Sequence, residues 1–240
     1  MDEQIVLHKG FWWTKDDGGG VTETEASPAS CCYDLTTNQP NEPANISSWV
    51  PNKRIMIQAG GNVGFFTKQY ADIFEKVYTF EPVPLLFHCL NKNIQKDNVF
   101  KFQACLGDTH GCVSMGRRGG NNAGSENVVG PGSTPTMLID DLKLPGCDLI
   151  QLDLEGYEFH ALRGATETIR KYRPILALEL AGWEARYGVN GYDIEAWLKK
   201  YGYYCVAVID ANRIYAVTGV PPPERDSKNH SVFSALKIPS

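Results

Sequence analysis

The sequence predicts an α/β fold: a mostly parallel, seven-stranded sheet that is flanked by helices and has an antiparallel strand at one edge. Three observations support this prediction. Apolar strand patterns and helical patterns alternate from Arg54 onward, a glycine turn opens the first helix, and acidic residues follow several strands. With 240 residues, the chain fits one large domain. We therefore assign residues 51–240 to this domain and residues 1–50 to an N-terminal lead.

The predicted elements follow from apolar runs and from helical periodicity, bounded by glycine and proline. Strands are expected at 54–59, 76–81, 99–106, 147–153, 173–180, 203–209 and 231–237. Helices are expected at 63–75, 83–96, 158–171 and 191–201, with Gly202 ending the last one. An RIYAVTG run and a proline-rich loop join the strands YYCVAVID and HSVFSALKI, which we expect to pair antiparallel at the sheet edge.

The N-terminal lead contains GGG at 18–20, several prolines and many Ser, Thr and Asn residues, so little regular structure is expected there. Trp12, Trp13 and Trp49 are large apolar groups within it. They are expected either to pack the lead onto the domain or to form a wall of an acceptor pocket.

A second irregular segment, GRRGGNNAGSENVVGPGSTP at 116–135, interrupts the domain. Its Gly, Asn and Ser content is too polar to order itself by burial. Loops of this length in compact domains are often lids, and we expect one over the ligand site.

Composition excludes several functional classes. A formal net charge of -5 argues against a protein that binds nucleic acid through phosphate neutralisation. No apolar run is long enough to cross a membrane, and the first residues do not resemble a signal peptide. The seven cysteines lack CxxC spacing, which favours a reducing, cytoplasmic location.

The segment RIMIQAGGNVGFFTKQYADIFEKVYTFEP, from Arg54 to Pro82, predicts a site for a nucleoside-containing cofactor. Its glycine turn (Gly60, Gly61 and Gly64) allows close approach of a ligand, and Glu81 follows about 20 residues later. A carboxylate at that spacing can bind the ribose hydroxyls of several cofactors.

Two further strands end in acids at the same sheet edge. Asp153 and Glu155 follow the strand of LIQLDLEGYEF, and Glu179 follows ILALEL. Carboxylates that converge in this way can divide into base and electrostatic roles, or hold a hard cation. Glu158 is better explained as a cap of the next helix.

These motifs together resemble the FkbM-type family of S-adenosylmethionine-dependent methyltransferases. The resemblance rests on QAGGNVGFFT, YTFEPVPLLFHCLNKNI, ACLGD, TMLIDDL, LIQLDLEGYEFHALRGATETI and RPILALEL, in the family's order across residues 53–181. It implies a Rossmann-like class I methyltransferase fold with S-adenosylmethionine at the carboxyl ends of the strands. Family members generally methylate hydroxyl groups, often on sugars or secondary metabolites.

The resemblance also implies roles for individual residues. Cofactor-binding positions would be Gln58, Gly60, Gly61, Asn62, Gly64, Glu81, Pro82, Cys105, Leu106, Asp108 and Asp153. Apart from the resemblance, an alcohol acceptor needs a base or a cation to activate its oxygen. We expect Asp153 to act as the base, with Glu155 and Glu179 as further candidates, and Asp153 and Glu179 to be the ligands of a divalent cation such as Mg²⁺.

Gln58 departs from the family pattern, which usually has an acid there to engage the cofactor's ammonium group. An amide oxygen accepts the same hydrogen bond without its charge, so a loss of about tenfold in affinity is expected. Two other classes are therefore kept as alternatives: a non-catalytic S-adenosylmethionine-binding protein, and a nicotinamide-dependent oxidoreductase. Against the second, the turn lacks the GxGxxG spacing.

Overall fold

The computed structural model describes residues 1–8, 10–15, 42–117, 123–209 and 211–219. Its strands are β1 Ile5–His8, β2 Phe11–Thr14, β3 Ile55–Ala59, β4 Lys76–Phe80, β5 Val99–Phe102, β6 Cys105–Leu106, β7 Gly111–Arg117, β8 Glu126–Pro131, β9 Thr134–Met137, β10 Leu149–Leu152, β11 Ile175–Glu179, β12 Tyr203–Ile209 and β13 Asn212–Val217. Its α-helices are α1 Glu42–Ser47, α2 Phe65–Ile73, α3 Pro84–Asn93, α4 Glu158–Arg163, α5 Thr166–Tyr172 and α6 Gly191–Lys199. No helix of the described part combines the length and apolarity needed to cross a bilayer.

The central sheet has seven strands in the order β12–β13–β11–β10–β3–β4–β5. The β11–β10–β3–β4–β5 pairs are all parallel, whereas β13 runs antiparallel to both β11 and β12. The predicted mostly parallel, seven-stranded sheet is thus confirmed. The antiparallel strand lies one place inside the edge, since RIYAV forms it and inserts between β11 and β12. The strand predicted at 231–237 lies outside the described residues.

Two hydrophobic clusters cover the two faces of this sheet. One face packs Met56, Val77 and Leu149 against residues of α1, α2 and α3. The other face packs Ile57 and Ile150 against residues of α4, α5 and α6. Successive residues of each strand point to opposite faces, which explains why the central strands are continuous apolar runs.

The prediction of an irregular N-terminal lead was wrong for part of the segment. β1 and β2 form an antiparallel hairpin, and α1 follows at Glu42–Ser47. The hairpin packs Ile5, Phe11 and Trp13 against Leu86 and Cys89 of α3. Its alternating apolar residues, flanking the positive φ of Gly10, outweigh the polar composition of the rest of the lead.

The tryptophans of this lead pack against the domain. Trp13 and Trp49 are 2% and 5% exposed and belong to hydrophobic clusters. Trp12 is partly buried, with the ammonium group of Lys92 4.4 Å from its ring centroid. Neither Trp13 nor Trp49 is among the residues that line the cavity described below. Packing is therefore the alternative that the structure favours.

Most of the described part of the 116–135 segment forms strands and not the loop that its composition predicted, and its residues 118–122 lie outside the described residues. β7, β8 and β9, together with β6, form a second sheet in the order β6–β9–β7–β8. Arg117 lies directly opposite Glu126 in the β7–β8 pair, and an ion pair of 2.9 Å joins them. Cross-strand pairing of this kind orders a polar segment that cannot bury a core of its own.

Candidate functional site

The sheet changes direction between β3 and β10. From β3 the chain continues to β4 and β5 on one side, whereas β10 and β11 extend the sheet on the other side. Ligands of open α/β sheets bind outside the carboxyl ends of the strands at such a point. A cavity of about 590 Å³, including its open mouth, lies at these strand ends.

The glycine turn brings the chain close to the end of β10. Gly60 has φ of 88°, and a Cβ atom at this position would overlap the backbone carbonyl oxygen of Asp153. The N–H groups of Gly60 and Gly61 donate to the carbonyl oxygen of Phe80 at 3.2 and 2.9 Å. Only glycine combines this φ with such a close approach.

The rest of the turn has a structural role. Gly64, with φ of 94°, precedes the first residue of α2. Side chains at Gly61 or Gly64 would collide with Leu90 or Ile94 of the α3 region. Gly60 and Asn62 line the cavity, whereas Gly61 and Gly64 are not among its lining residues.

Glu81 is a buried carboxylate that two backbone donors hold in the cavity wall. It is 4% exposed, accepts from the Asn62 N–H at 2.7 Å through Oε2, and accepts from the Val83 N–H at 2.8 Å through Oε1. Burial raises the pKa of Glu81 to about 7, and the two N–H donors oppose that rise. Each oxygen keeps further lone pairs, so the carboxylate can also accept from the two hydroxyls of a diol.

Gln58, predicted to contact the cofactor, is instead bonded within the protein. Its Oε1 accepts from the hydroxyls of Thr67 and Thr79 at 2.9 and 2.5 Å, and its Nε2 donates to the Gly60 carbonyl at 3.0 Å. The side chain is 1% exposed and does not line the cavity. The amide therefore links β3, α2 and β4 behind the turn.

Asp153 and Glu179 lie side by side at the ends of β10 and β11. The register pairs Leu152 with Leu178, so the next residues of these parallel strands are neighbours. Burial, a hydrogen bond with the Glu179 carboxyl and the charges of nearby acids raise the pKa of Asp153 well above its ordinary value. Asp153 lines the cavity, whereas Glu179 is not among the lining residues.

The turn after Asp153 carries two acids in different roles. Glu155 lines the cavity and has φ of 54°, unusual for a residue with a side chain. Glu158 is fully buried, and its Oε1 accepts from the N–H groups of Leu154 and Gly156 at 2.8 and 3.2 Å. Burial raises the pKa of Glu158 to about 8. These donors belong to the turn before α4, and no side chain caps the helix at Tyr157, so the predicted capping role of Glu158 is not confirmed.

Some of the remaining predicted cofactor residues line the cavity and one does not. Pro82, Cys105 and Leu106 line the cavity. Asp108 does not, and instead forms an ion pair with Arg163 at the end of α4.

Sequence reasoning missed several residues that line the cavity. Met115, Glu126 and Val128 come from the second sheet, and Tyr157 precedes α4. The Tyr157 ring stacks on His160 with centroids 4.1 Å apart, and the Tyr187 hydroxyl donates to the Val128 carbonyl at 2.9 Å. Because the 116–135 segment was interpreted as a loop, its strand register could not assign Glu126 to the site.

The predicted divalent cation gains no support from this geometry. Among the residues that the structure describes, no group of three or more His, Cys, Asp and Glu side chains is placed to hold a metal ion.

Several solved structures resemble the chain at low identity. One is the methyltransferase FkbM from Methylobacillus flagellatus, at 15% identity and a TM-score of 0.48, with 69% of this chain and 43% of that one covered. Another is precorrin 8W decarboxylase from Methanobacterium thermoautotrophicum, at 14% identity and a TM-score of 0.44, with 72% and 88% covered. A TehB-like SAM-dependent methyltransferase from Corynebacterium glutamicum has 12% identity and a TM-score of 0.43, with 76% and 88% covered. The chain thus spans less than half the length of the Methylobacillus protein.

No curated protein matches the sequence significantly. The family model of the methyltransferase FkbM domain matches residues 58–205, which is more than half of the chain. That range includes the glycine turn, Glu81, the second sheet and the acids that follow β10 and β11. The chain therefore belongs to the methyltransferase FkbM domain family.

Proposed function

We propose that the chain is an S-adenosylmethionine-dependent O-methyltransferase that acts on a hydroxyl group of a sugar, a glycan or a small metabolite. The observation that carries the proposal is the convergence of Gly60, Glu81 and Asp153 on one cavity at the switch point of the sheet. Family membership supports the methyl donor, and the acids of the cavity support an acceptor that must lose a proton.

The residues at the cavity fit S-adenosylmethionine. Glu81 offers free lone pairs to the two ribose hydroxyls, and the missing Cβ of Gly60 lets the glycine turn pack directly against the Asp153 backbone at the cavity. Pro82, Leu86 and Leu106 supply apolar surface for the adenine ring of the cofactor. When bound, S-adenosylmethionine supplies an electrophilic methyl group on a positively charged sulfur, which suits a site lined by carboxylates.

We assign Asp153 as the general base that takes up the acceptor's proton. An alcohol is a very weak acid, so its oxygen becomes a good nucleophile only when a base takes up its proton. Burial and the neighbouring carboxylates raise the pKa of Asp153, which makes its carboxylate a stronger base than an ordinary aspartate once it is ionised. Its position at the end of β10 places this base in the cavity wall.

The structure weakens the case for a non-catalytic binding protein. That alternative depended on Gln58 as a damaged cofactor ligand, yet both the Oε1 and the Nε2 of Gln58 are hydrogen-bonded inside the protein. The nicotinamide-dependent oxidoreductase is not retained, because the chain belongs to a methyltransferase family.

The proposal includes a cytoplasmic location and no nucleic-acid or membrane partner, as composition predicts. The five cysteines within the described residues form no disulfide, which agrees with a reducing compartment.

The test is transfer of a labelled methyl group from S-adenosylmethionine to a panel of sugars, glycans and small alcohols. We expect base-stable methyl ether products with the wild-type chain and none with Asp153→Asn. Transfer to nitrogen, or full activity of Asp153→Asn, would contradict the proposal.

A further inference from the structure

The second sheet contributes an acid to the cavity that the proposed function does not use. Glu126 begins β8, and its side chain is 14% exposed and lines the cavity. Arg117, directly opposite in β7, donates from Nε to Oε1 of Glu126 at 2.9 Å. This ion pair holds the carboxylate in place without covering it.

The cavity wall contains several acidic side chains and no basic one among the described lining residues. Four described lining residues are acids: Glu81, Glu126, Asp153 and Glu155. None of the described lining residues is Lys, Arg or His. The Glu126 charge reaches the cofactor side of the cavity, since it contributes to the raised pKa of Glu81.

The cavity that Glu126 lines is also suited to a hydroxylated ring. Tyr157 contributes an aromatic ring, which stacks on His160, and Val128 and Met115 add apolar surface. An aromatic surface next to a fixed carboxylate can bind the C–H face of a ring and its hydroxyl groups together.

We propose that Glu126 sets the charge preference of the acceptor site. Its fixed carboxylate accepts hydrogen bonds from neutral or cationic hydroxylated acceptors and repels phosphorylated or carboxylated ones. This inference rests on the proposed function, because it assumes that the acceptor meets the methyl group in this cavity. It assigns the selectivity to a residue of the second sheet, outside the glycine turn and the strand-end motifs.

The first test needs no acceptor, because S-adenosylmethionine and S-adenosylhomocysteine differ by one methyl group and one positive charge. We expect Glu126→Gln to weaken binding of S-adenosylmethionine relative to S-adenosylhomocysteine by roughly fivefold, the scale of one partly screened charge. Arg117→Gln is the matched control, since it removes the same ion pair but keeps the carboxylate. It should shift the ratio in the opposite direction.

Each outcome of this titration decides something. An unchanged ratio in Glu126→Gln would show that its carboxylate does not face the transferred methyl group, and would overturn the inference. If the affinity ratio shifts in the same direction in both variants, the cause is a loosened β7–β8 pair and not the charge of Glu126. That result would also overturn the inference. If the folded wild-type chain binds neither compound, the proposed function itself fails.

The second test compares acceptors that differ only in charge: methyl glucoside, glucosamine, glucuronate and glucose 6-phosphate, as substrates or as competitors of a substrate from the panel. We expect the neutral and cationic compounds to bind at least tenfold more tightly than the anionic ones, and Glu126→Gln to narrow this gap. Equal or tighter binding of glucuronate or glucose 6-phosphate would overturn the inference and leave the methyltransferase proposal intact.

Discussion

Replacing Gln58 by glutamate separates two roles for this position, an internal link and a cofactor ligand. The two side chains have nearly the same shape, but the carboxylate lacks the Nε2 donor that bonds the Gly60 carbonyl at 3.0 Å. The new oxygen would face that carbonyl oxygen in a site that is 1% exposed. The Thr67 and Thr79 hydroxyls can still donate to the other oxygen.

These contacts set the expected magnitude. Leaving a buried acceptor unpaired costs about 1–3 kcal/mol, and more when the group is charged. The two threonine hydroxyls offset part of this cost, so we expect a net loss of about 2–3 kcal/mol in the free energy of unfolding at pH 8. Burial raises the pKa of the new carboxyl above its unfolded value, so the folded state holds its proton more tightly. The loss should therefore shrink as the pH falls to about 5, where a protonated oxygen can donate to Gly60.

Urea unfolding at the two pH values measures this loss, and titration with S-adenosylmethionine measures the cofactor contact. Gln151→Glu is the matched control, because Gln151 is Gln58's neighbour in register, is also 1% exposed and does not line the cavity. We expect cofactor affinity within about threefold of wild type in both folded variants. A tenfold gain in affinity in Gln58→Glu alone, without loss of stability, would refute the internal role.

Three further predictions concern the cavity itself. Burial raises the pKa of Glu81 to about 7, so the carboxylate that accepts hydrogen bonds from the diol becomes protonated as the pH drops from 8 to 6. Affinity for S-adenosylmethionine, measured by calorimetry, should therefore fall over this range. An affinity that does not change with pH would argue against this contact. Asp153→Asn should bind S-adenosylhomocysteine within about threefold of wild type but lose at least a hundredfold in transfer rate, and residual transfer near wild type would exclude Asp153 as the base. Gly60→Ala should lose about 3 kcal/mol of stability and most cofactor binding, since it combines a strained φ with a backbone clash. Gly182→Ala, with φ of 86° and open space at its Cβ, should lose only about 1 kcal/mol in the same urea unfolding, and equal losses would contradict the role of close approach at Gly60.

The central sheet could be predicted from the sequence because its strands are buried on both faces. Runs such as IMIQA and LIQL have no exposed face to alternate with, so they stand out from the amphipathic helices between them. The positions of Glu81 and Asp153 followed from the same logic, since residues after parallel strands meet at one edge of the sheet. The antiparallel pairing of RIYAV was harder to predict, because two partners were possible. A two-residue connection joins RIYAV to YYCVAVID, and a proline-rich loop joins it to HSVFSALKI.

The second sheet could not be predicted for a physical reason. Its strands are short and polar, and much of their stability comes from cross-strand pairs such as Arg117–Glu126. Composition alone cannot reveal such pairs, so Glu126 was missed.

Gln58 illustrates a different limit. Its distance from the glycines predicts that it lies near the turn, but only the structure shows that Thr67, Thr79 and Gly60 engage every polar atom of its side chain except one Nε2 hydrogen. A substitution that suggested a weakened cofactor site instead completes a buried hydrogen-bond network.

The central claim is that Glu81, at the end of β4, holds the ribose of S-adenosylmethionine in this cavity. Calorimetric titration of S-adenosylmethionine into the wild-type chain and into Glu81→Gln at pH 8 tests it most directly, with urea unfolding as the check that the variant is folded. We expect one binding site per wild-type chain. Affinity for S-adenosylmethionine should fall at least about a hundredfold in the variant, because two charge-assisted hydrogen bonds are weakened. Equal affinity in the two folded proteins would contradict this claim.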